Sequence, residues 1–225
     1  DPGTGPNNFV HALVAQNDGR VVIGGEFTGV NGVLRNHIAR LNDDGSVDQS
    51  FNPGFGANDV VRSISVDING FLIVGGDFTS FDSVLARGVV RLRTDGSVDK
   101  TFDAGLGANG PVFSVQVAGN NGSIVLGGEF TSMNGDTNYV RIARLNADGT
   151  VDAGFQPNGG PNEIVHTVSL QSDGKIIIGG GFTSIGAITN INRFARLEAS
   201  GALDPTFNIG SGANRFVASS LVQSD

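Results

Sequence analysis

The chain has 225 residues, 14 Lys and Arg against 22 Asp and Glu, a net charge of −8, 35 Gly and no Cys. That balance excludes the basic surface nucleic acids require, and the missing thiols exclude a disulfide framework and a thiolate metal centre. No apolar run approaches the roughly 18 residues that cross a bilayer, so neither a nucleic-acid partner nor membrane insertion is expected.

The opening DPGTGPNN has no signal-peptide character and no initiator Met precedes it, so a mature or excised piece is expected. VHALVAQ (10–16) then alternates, with Leu13 and Ala15 on one face, as a half-buried strand does. Asp18-Gly19 is a hairpin turn, and Val21–Ile23 opens a second strand whose unbroken apolar triplet asks for cover on both faces. GGEFT (24–28) interrupts it, GVNGVLRNH (29–37) forms a loop, and a third strand ends on Arg40-Leu41. The turn DDG leads to a fourth strand, SVDQSF (46–51).

The same unit is written three more times. The turn glycine recurs at Gly70, Gly122 and Gly174, the arginine at Arg91, Arg144 and Arg196, and the aspartate of Asp48 at Asp99, Asp152 and Asp204. The phenylalanine of Phe51 recurs at Phe102, Phe155 and Phe207, and GGEFT returns as GGDFT, GGEFT and GGGFT. First strands VRSISVD, VFSVQVA and VHTVSLQ carry Ser63, Ser65, Ser114, Thr167 and Ser169, small residues that suit close packing on a neighbour. Helix periodicity is absent.

Four-stranded sheets that need cover on both faces satisfy one another when stacked radially. We therefore expect an all-β fold, a β-propeller built from about 52-residue four-stranded antiparallel blades, rather than a linear β-solenoid. The units run approximately 10–60, 61–111, 112–164 and 165–216 within a single repeat domain over 1–225. Residues 217–225 form an extra first strand, because NIGSGANRFV (208–217) repeats DPGTGPNNFV (1–10). The expectation is a segment of a longer array. Four units closing alone would displace or donate one terminal strand and leave a free sheet edge. Glycines inside a strand mark a bulge or a close backbone approach, so GGxFT reads as a structural joint.

The combined pattern, QNDGRVVIGGEFT followed by IARLNDDGSVDQSF and their echoes, resembles the delta-60 repeat, a bacterial β-propeller repeat family. The likeness covers essentially the whole chain. It departs at Gly181, which lacks the acid, at Ser200, which replaces the turn aspartate, and at Val89-Val90 before Arg91. The resemblance implies large secreted or surface proteins, often beside adhesion-type modules, and no established enzyme activity.

The chemistry-bearing residues read mostly as scaffold. Arg40, Arg91, Arg144 and Arg196 lie in apolar strands and need acceptors. The regular candidates are Asp48, Asp99, Asp152 and Asp204, or a turn carbonyl; a ring of anion sites is the rival. NDDGSVD (42–48) only faintly resembles a calcium loop, with Gly at the fourth position instead of the sixth. His11 and His166 occupy equivalent places, taken elsewhere by Arg62, Phe113 and Ala218, and no catalytic order of Ser, His and Asp appears. We expect no enzyme, catalytic residue, metal or cofactor. The expected role is an extracellular or cell-surface display or protein-contact propeller, with a protein partner or neighbouring domains of the same chain. A carbohydrate-binding or carbohydrate-cleaving propeller is the alternative, weakened by the absence of Trp and the single Tyr139. The loops that vary most between units follow GGxFT, at 29–37, 80–88, 132–141 and 184–193, and they are the candidate contact face.

Overall fold

The computed structural model describes residues 3–118 and 121–223, and every element assigned among them is a strand. Asp1, Pro2, Ser224 and Asp225, where the reading of the repeat begins and ends, lie outside the described residues. Among the described residues, no helix is long and apolar enough to cross a membrane.

Each unit makes a three-stranded antiparallel sheet. The first pairs β1 (Val10–Ala15), β2 (Val21–Gly25) and β5 (Ile38–Leu41), with a small hairpin of β3 (Gly29–Val30) and β4 (Val33–Leu34) between β2 and β5. The second pairs β6 (Val61–Val66), β7 (Leu72–Gly76) and β10 (Val89–Leu92), with β8 (Ser80–Phe81) and β9 (Val84–Leu85) as its hairpin. β11 (Val112–Ala118), β12 (Ser123–Gly128) and β13 (Ile142–Leu145) form the third. β14 (Val165–Leu170), β15 (Ile176–Gly180) and β18 (Phe194–Leu197) form the fourth, with the hairpin β16 (Ser184–Ile185) and β17 (Ile188–Thr189).

The fourth strand of each blade is one ladder pair long: Leu41 with Val47, Leu92 with Val98, Leu145 with Val151 and Leu197 with Leu203. The aspartate that follows ends it. In the first unit the Asp48 carboxylate accepts the Ser50 N–H at 2.8 Å, and this local turn outcompetes further ladder pairing.

First strands run side by side, and the interior is a series of apolar layers between sheets. Val22 shares a layer with Phe51, Val61 and Leu72, for example. The phenylalanines of GGxFT, Phe27, Phe78, Phe130 and Phe182, are all fully buried. Each burial contributes roughly 1.5–3 kcal/mol.

The two glycines have separate reasons. A Cβ on the first would strike the next sheet: at Gly75 it would lie 2.6 Å from Val115 Cγ1, and at Gly127 2.7 Å from Val165 Cγ1. A Cβ on the second would strike the sheet's own backbone, at the carbonyl oxygens of Phe9, Val60, Pro111 and Ile164. That close approach accompanies a register shift in each first strand, between Val10 and Ala12, Val61 and Ser63, Val112 and Ser114, and Val165 and Thr167. His11, Arg62, Phe113 and His166 are the extra residues of these bulges.

Candidate functional site

Each blade has two ends. At one lie the tight turns after the first and third strands; at the other lie the bulges and the hairpins after GGxFT.

The turn end holds all eight residues of the predicted Arg–Asp pairs. Arg40 Nε donates to Asp48 Oδ2 at 2.8 Å, Arg91 to Asp99 at 2.8 Å, Arg144 to Asp152 at 2.7 Å and Arg196 to Asp204 at 2.8 Å. Each guanidinium also sits over a phenylalanine ring of its own unit: Phe51, Phe102, Phe155 or Phe207. Nη1 then crosses to the next sheet. Arg40 donates to the Thr94 carbonyl at 2.6 Å, Arg91 to that of Ala147 and Arg144 to that of Ala199. The aspartate and the turn carbonyl are thus simultaneous partners.

Burial works against the charge of Asp48 and Asp99, yet both carboxyls titrate below the usual range. The Ser50 and Thr101 hydroxyls and backbone N–H groups donate to them, as do Arg40 and Arg91, and Asp99 is held at about 2. Asp204 is lowered chiefly by Lys175, then by Thr206 and Arg196. The turn NDDGSVD is likewise satisfied internally: Asp44 accepts the N–H and the hydroxyl of Ser46. Among the described residues, no three His, Asp or Glu side chains are grouped to hold a metal ion.

At the opposite end the bulge aims its residue at the acid of GGxFT. His11 lies 2.9 Å from Glu26, and Arg62 pairs with Asp77 at 2.6 Å. Where the acid's partner is aromatic the row continues by stacking. Arg62 lies over Phe113, whose ring centroid is 5.4 Å from that of His166, and His166 is 5.4 Å from Phe216. Burial lowers the His166 pKa, against the pull of Glu129 and Glu163. The sequence reading placed His11, Arg62, Phe113 and His166 in one column but gave them no partner in GGxFT.

A second tie was also missed. Asn7, Asn58, Asn109 and Asn162 each accept the backbone N–H of the GGxFT threonine, or of the residue after it, and donate to the threonine hydroxyl. Asn58 and Thr79 show this at 2.9 Å and 3.0 Å. Hairpin tips tether the preceding linker in turn. Asp82 Oδ1 accepts the Phe55 N–H and Asn134 Oδ1 the Leu106 N–H, both at 2.9 Å. Asp82 and Asn134 adopt left-handed backbones, φ 45° and 51°, which Asx residues tolerate well.

These ties fix the backbone of a rim whose side chains point into water. Leu34, Phe55, Leu85, Leu106 and Ile188 are all more than half exposed, Phe55 at 74%. Within the second unit a groove of about 610 Å³ is lined by Thr79, Ser80, Leu85, Arg87, Asn109 and Pro111, among others.

A family model described as "Domain of unknown function (DUF5122) beta-propeller" matches residues 16–51, 69–102, 119–155 and 171–207. Each match begins near the turn after a first strand and ends on the phenylalanine under the arginine. No curated protein matches the sequence. Solved structures share the fold. The WD40 β-propeller domain of Doa1 aligns at 20% identity and TM-score 0.53, over 84% of this chain and 50% of its own. A gluconolactonase from Xanthomonas campestris aligns at 13% and 0.56, over 87% and 60%. The extracellular domain of a hybrid two-component system from B. thetaiotaomicron aligns at 12% and 0.53, over 93% and 24%. The chain therefore spans less than two thirds of each of these relatives.

Proposed function

We infer the function of this domain from one premise: the chain belongs to the DUF5122 β-propeller family. It is a β-propeller repeat domain, and we assign it a non-enzymatic role in which the hairpin rim is a protein-contact face. The carrying observation is the row Leu34, Phe55, Leu85, Leu106 and Ile188, exposed on backbones that hydrogen bonds hold in place. Apolar groups kept in water on a rigid surface are unfavourable until covered, and exposed apolar side chains on a fixed backbone suit an interaction surface. The fastened Arg–Asp pairs support the same reading, since their charge is spent inside the scaffold. Likeness to the delta-60 repeat supports identifying the unit with that motif and placing the domain in a large secreted or surface protein, where neighbouring domains are natural partners.

The test places a photo-crosslinking residue at position 85, with a control at position 18 on the turn end. Crosslinks to protein from 85 alone, lost when Phe55 and Leu106 are changed to Ser, are the expected result. Equal crosslinking from both positions would overturn the rim assignment. Saturable sugar binding on a glycan array would replace it with the carbohydrate reading.

A further inference from the structure

Of the 14 Lys and Arg side chains, all but Arg87, Lys100 and Arg215 are hydrogen-bonded or ion-paired among the described residues. Two of these three, Arg87 and Lys100, are exposed and line one slot of about 250 Å³ in the second unit. The equivalent places are engaged elsewhere. Asn36 and Asn192 stand where Arg87 does and donate Nδ2 to the carbonyls of Phe55 at 2.8 Å and Ser211 at 2.7 Å. Arg87 keeps only the backbone part of that tie, its carbonyl accepting the Ala108 N–H at 3.0 Å. Gln49 stands where Lys100 does and accepts from Arg35 at 3.4 Å; in the second unit Ala86 takes the place of that arginine.

Apolar surface lies beside the two free cations. Val84 is 40% exposed and Leu85 60% exposed. Leu85 and Arg87 line both the slot and the groove of about 610 Å³, so they form the ridge between the two. Val84, Val98, Phe102 and Ala104 supply apolar walls to the slot. The acids nearby are already engaged. Asp77 is held by Arg62 at 2.6 Å and Asp99 by Arg91 at 2.7 Å, and the Asp103 carboxylate accepts the Gly105 N–H at 2.8 Å. A chain with a net charge of −8 thus offers, at this one hairpin, two unspent cations around an apolar slot.

Building on the rim as a protein-contact face, we propose that the hairpin of the second unit receives an acidic peptide segment of the partner protein. A partner Asp or Glu meets Arg87 and Lys100, and an apolar side chain beside it enters the slot against Leu85. A guanidinium takes a carboxylate through two parallel hydrogen bonds, which fixes the direction of the segment as well as its charge. The acidic surface elsewhere on the chain repels such a segment within the Debye length of about 8 Å and so confines it to this place. The occupant is peptide rather than acidic polysaccharide because the slot is walled by aliphatic side chains and the half-buried Phe102, which suit a leucine-like group and give a sugar ring no open face to stack on.

The experiment selects random phage-displayed peptides on the immobilised 225-residue chain and measures the enriched ones as free peptides by fluorescence anisotropy. Enriched peptides are expected to carry Asp or Glu next to Leu, Ile, Val or Phe. Arg87→Glu combined with Lys100→Glu, both at exposed positions, should weaken them about tenfold or more, and a fresh selection on that variant should yield basic peptides. Leu85→Ser should weaken the original peptides while leaving the melting temperature unchanged. Enriched peptides without acids, affinity indifferent to the charge reversal, or charge-dependent binding of polygalacturonate in place of any peptide would overturn the proposal. Protein crosslinks from position 85 that survive the charge reversal would overturn it while leaving the rim assignment standing; equal crosslinking from positions 85 and 18 would remove that assignment itself.

Discussion

The two ends of each blade treat their polar residues in opposite ways. At the turn end the arginine, aspartate and phenylalanine recur in every unit and spend their hydrogen bonds on one another and, in the first three, on the next sheet. At the hairpin end the backbone ties recur, Asn58 to Thr79 for example, while the displayed side chains change. The bulge shows His11, Arg62, Phe113 and His166 in turn, and the rim shows Leu34, Leu85 and Ile188. Repetition here marks the load carried between sheets, and variation marks the surface offered to other molecules.

The largest effect should come from filling a joint. Gly75→Val would drive its side chain into Val112 and Val115, with β7 buried throughout, and is expected to cost about 3 kcal/mol or more in chemical denaturation. A loss below about 1 kcal/mol would mean that the sheets separate easily.

Arginine removal comes next and should be graded by burial. Arg40 is 3% exposed while the Arg144 side chain is 20% exposed. Arg40→Leu strips the Thr94 carbonyl of its donor and leaves the Asp48 carboxylate only Arg20 and Ser50, and should cost about 2 kcal/mol. Arg144→Leu should cost about half as much, because water reaches the freed groups. Equal losses would break the grading.

Acid should act on the turn end first. Asp48, Asp99 and Asp204 all have folded pKa values below the unfolded one, so their contribution is complete above about pH 4. It is lost as pH falls through the folded values, about 2 for Asp99. Urea midpoints measured from pH 5 to pH 2 should fall steadily, and Asp99→Asn should flatten the slope. Stability that rises on acidification would contradict the geometry.

Smallest of all should be the rim. Leu85→Ser is expected to change stability by no more than about 0.5 kcal/mol, since the side chain is already in water. A large loss would show that the rim is structural, and the contrast between the two ends would fail.

Much of this was legible in the residues. Four registers of Gly, Arg, Asp and Phe located the sheets, and two strand-interior glycines announced a joint. What stayed hidden depends on distance in the fold. The asparagine of GPNN, GAND, GANG and GPNE is as regular as the arginine, yet its threonine lies 21 or 22 residues further on, beyond any local rule. The bulge residue meets an acid 15 residues away, and only His11 with Glu26 and Arg62 with Asp77 keep a hydrogen-bonding pair, so the column reads as unrelated residues. The fourth strand looked longer than it is, because SVDQSF alternates well but its aspartate N–H makes the last bond to the third strand, at the Arg40 carbonyl, while its carboxylate turns the chain at Ser50. For the arginine, a choice between aspartate and carbonyl was posed where a guanidinium has donors enough for both.

The central claim is that the repeated arginines fasten one sheet to the next. Native-state hydrogen exchange on Arg91→Leu tests it, with Arg196→Leu as the comparison. Arg91 reaches Ala147, so its loss should speed exchange in residues 146–149 of the third sheet, while loss of Arg196 should leave the other three sheets unchanged. Faster exchange confined to the second sheet in Arg91→Leu would show that the arginine serves its own blade alone.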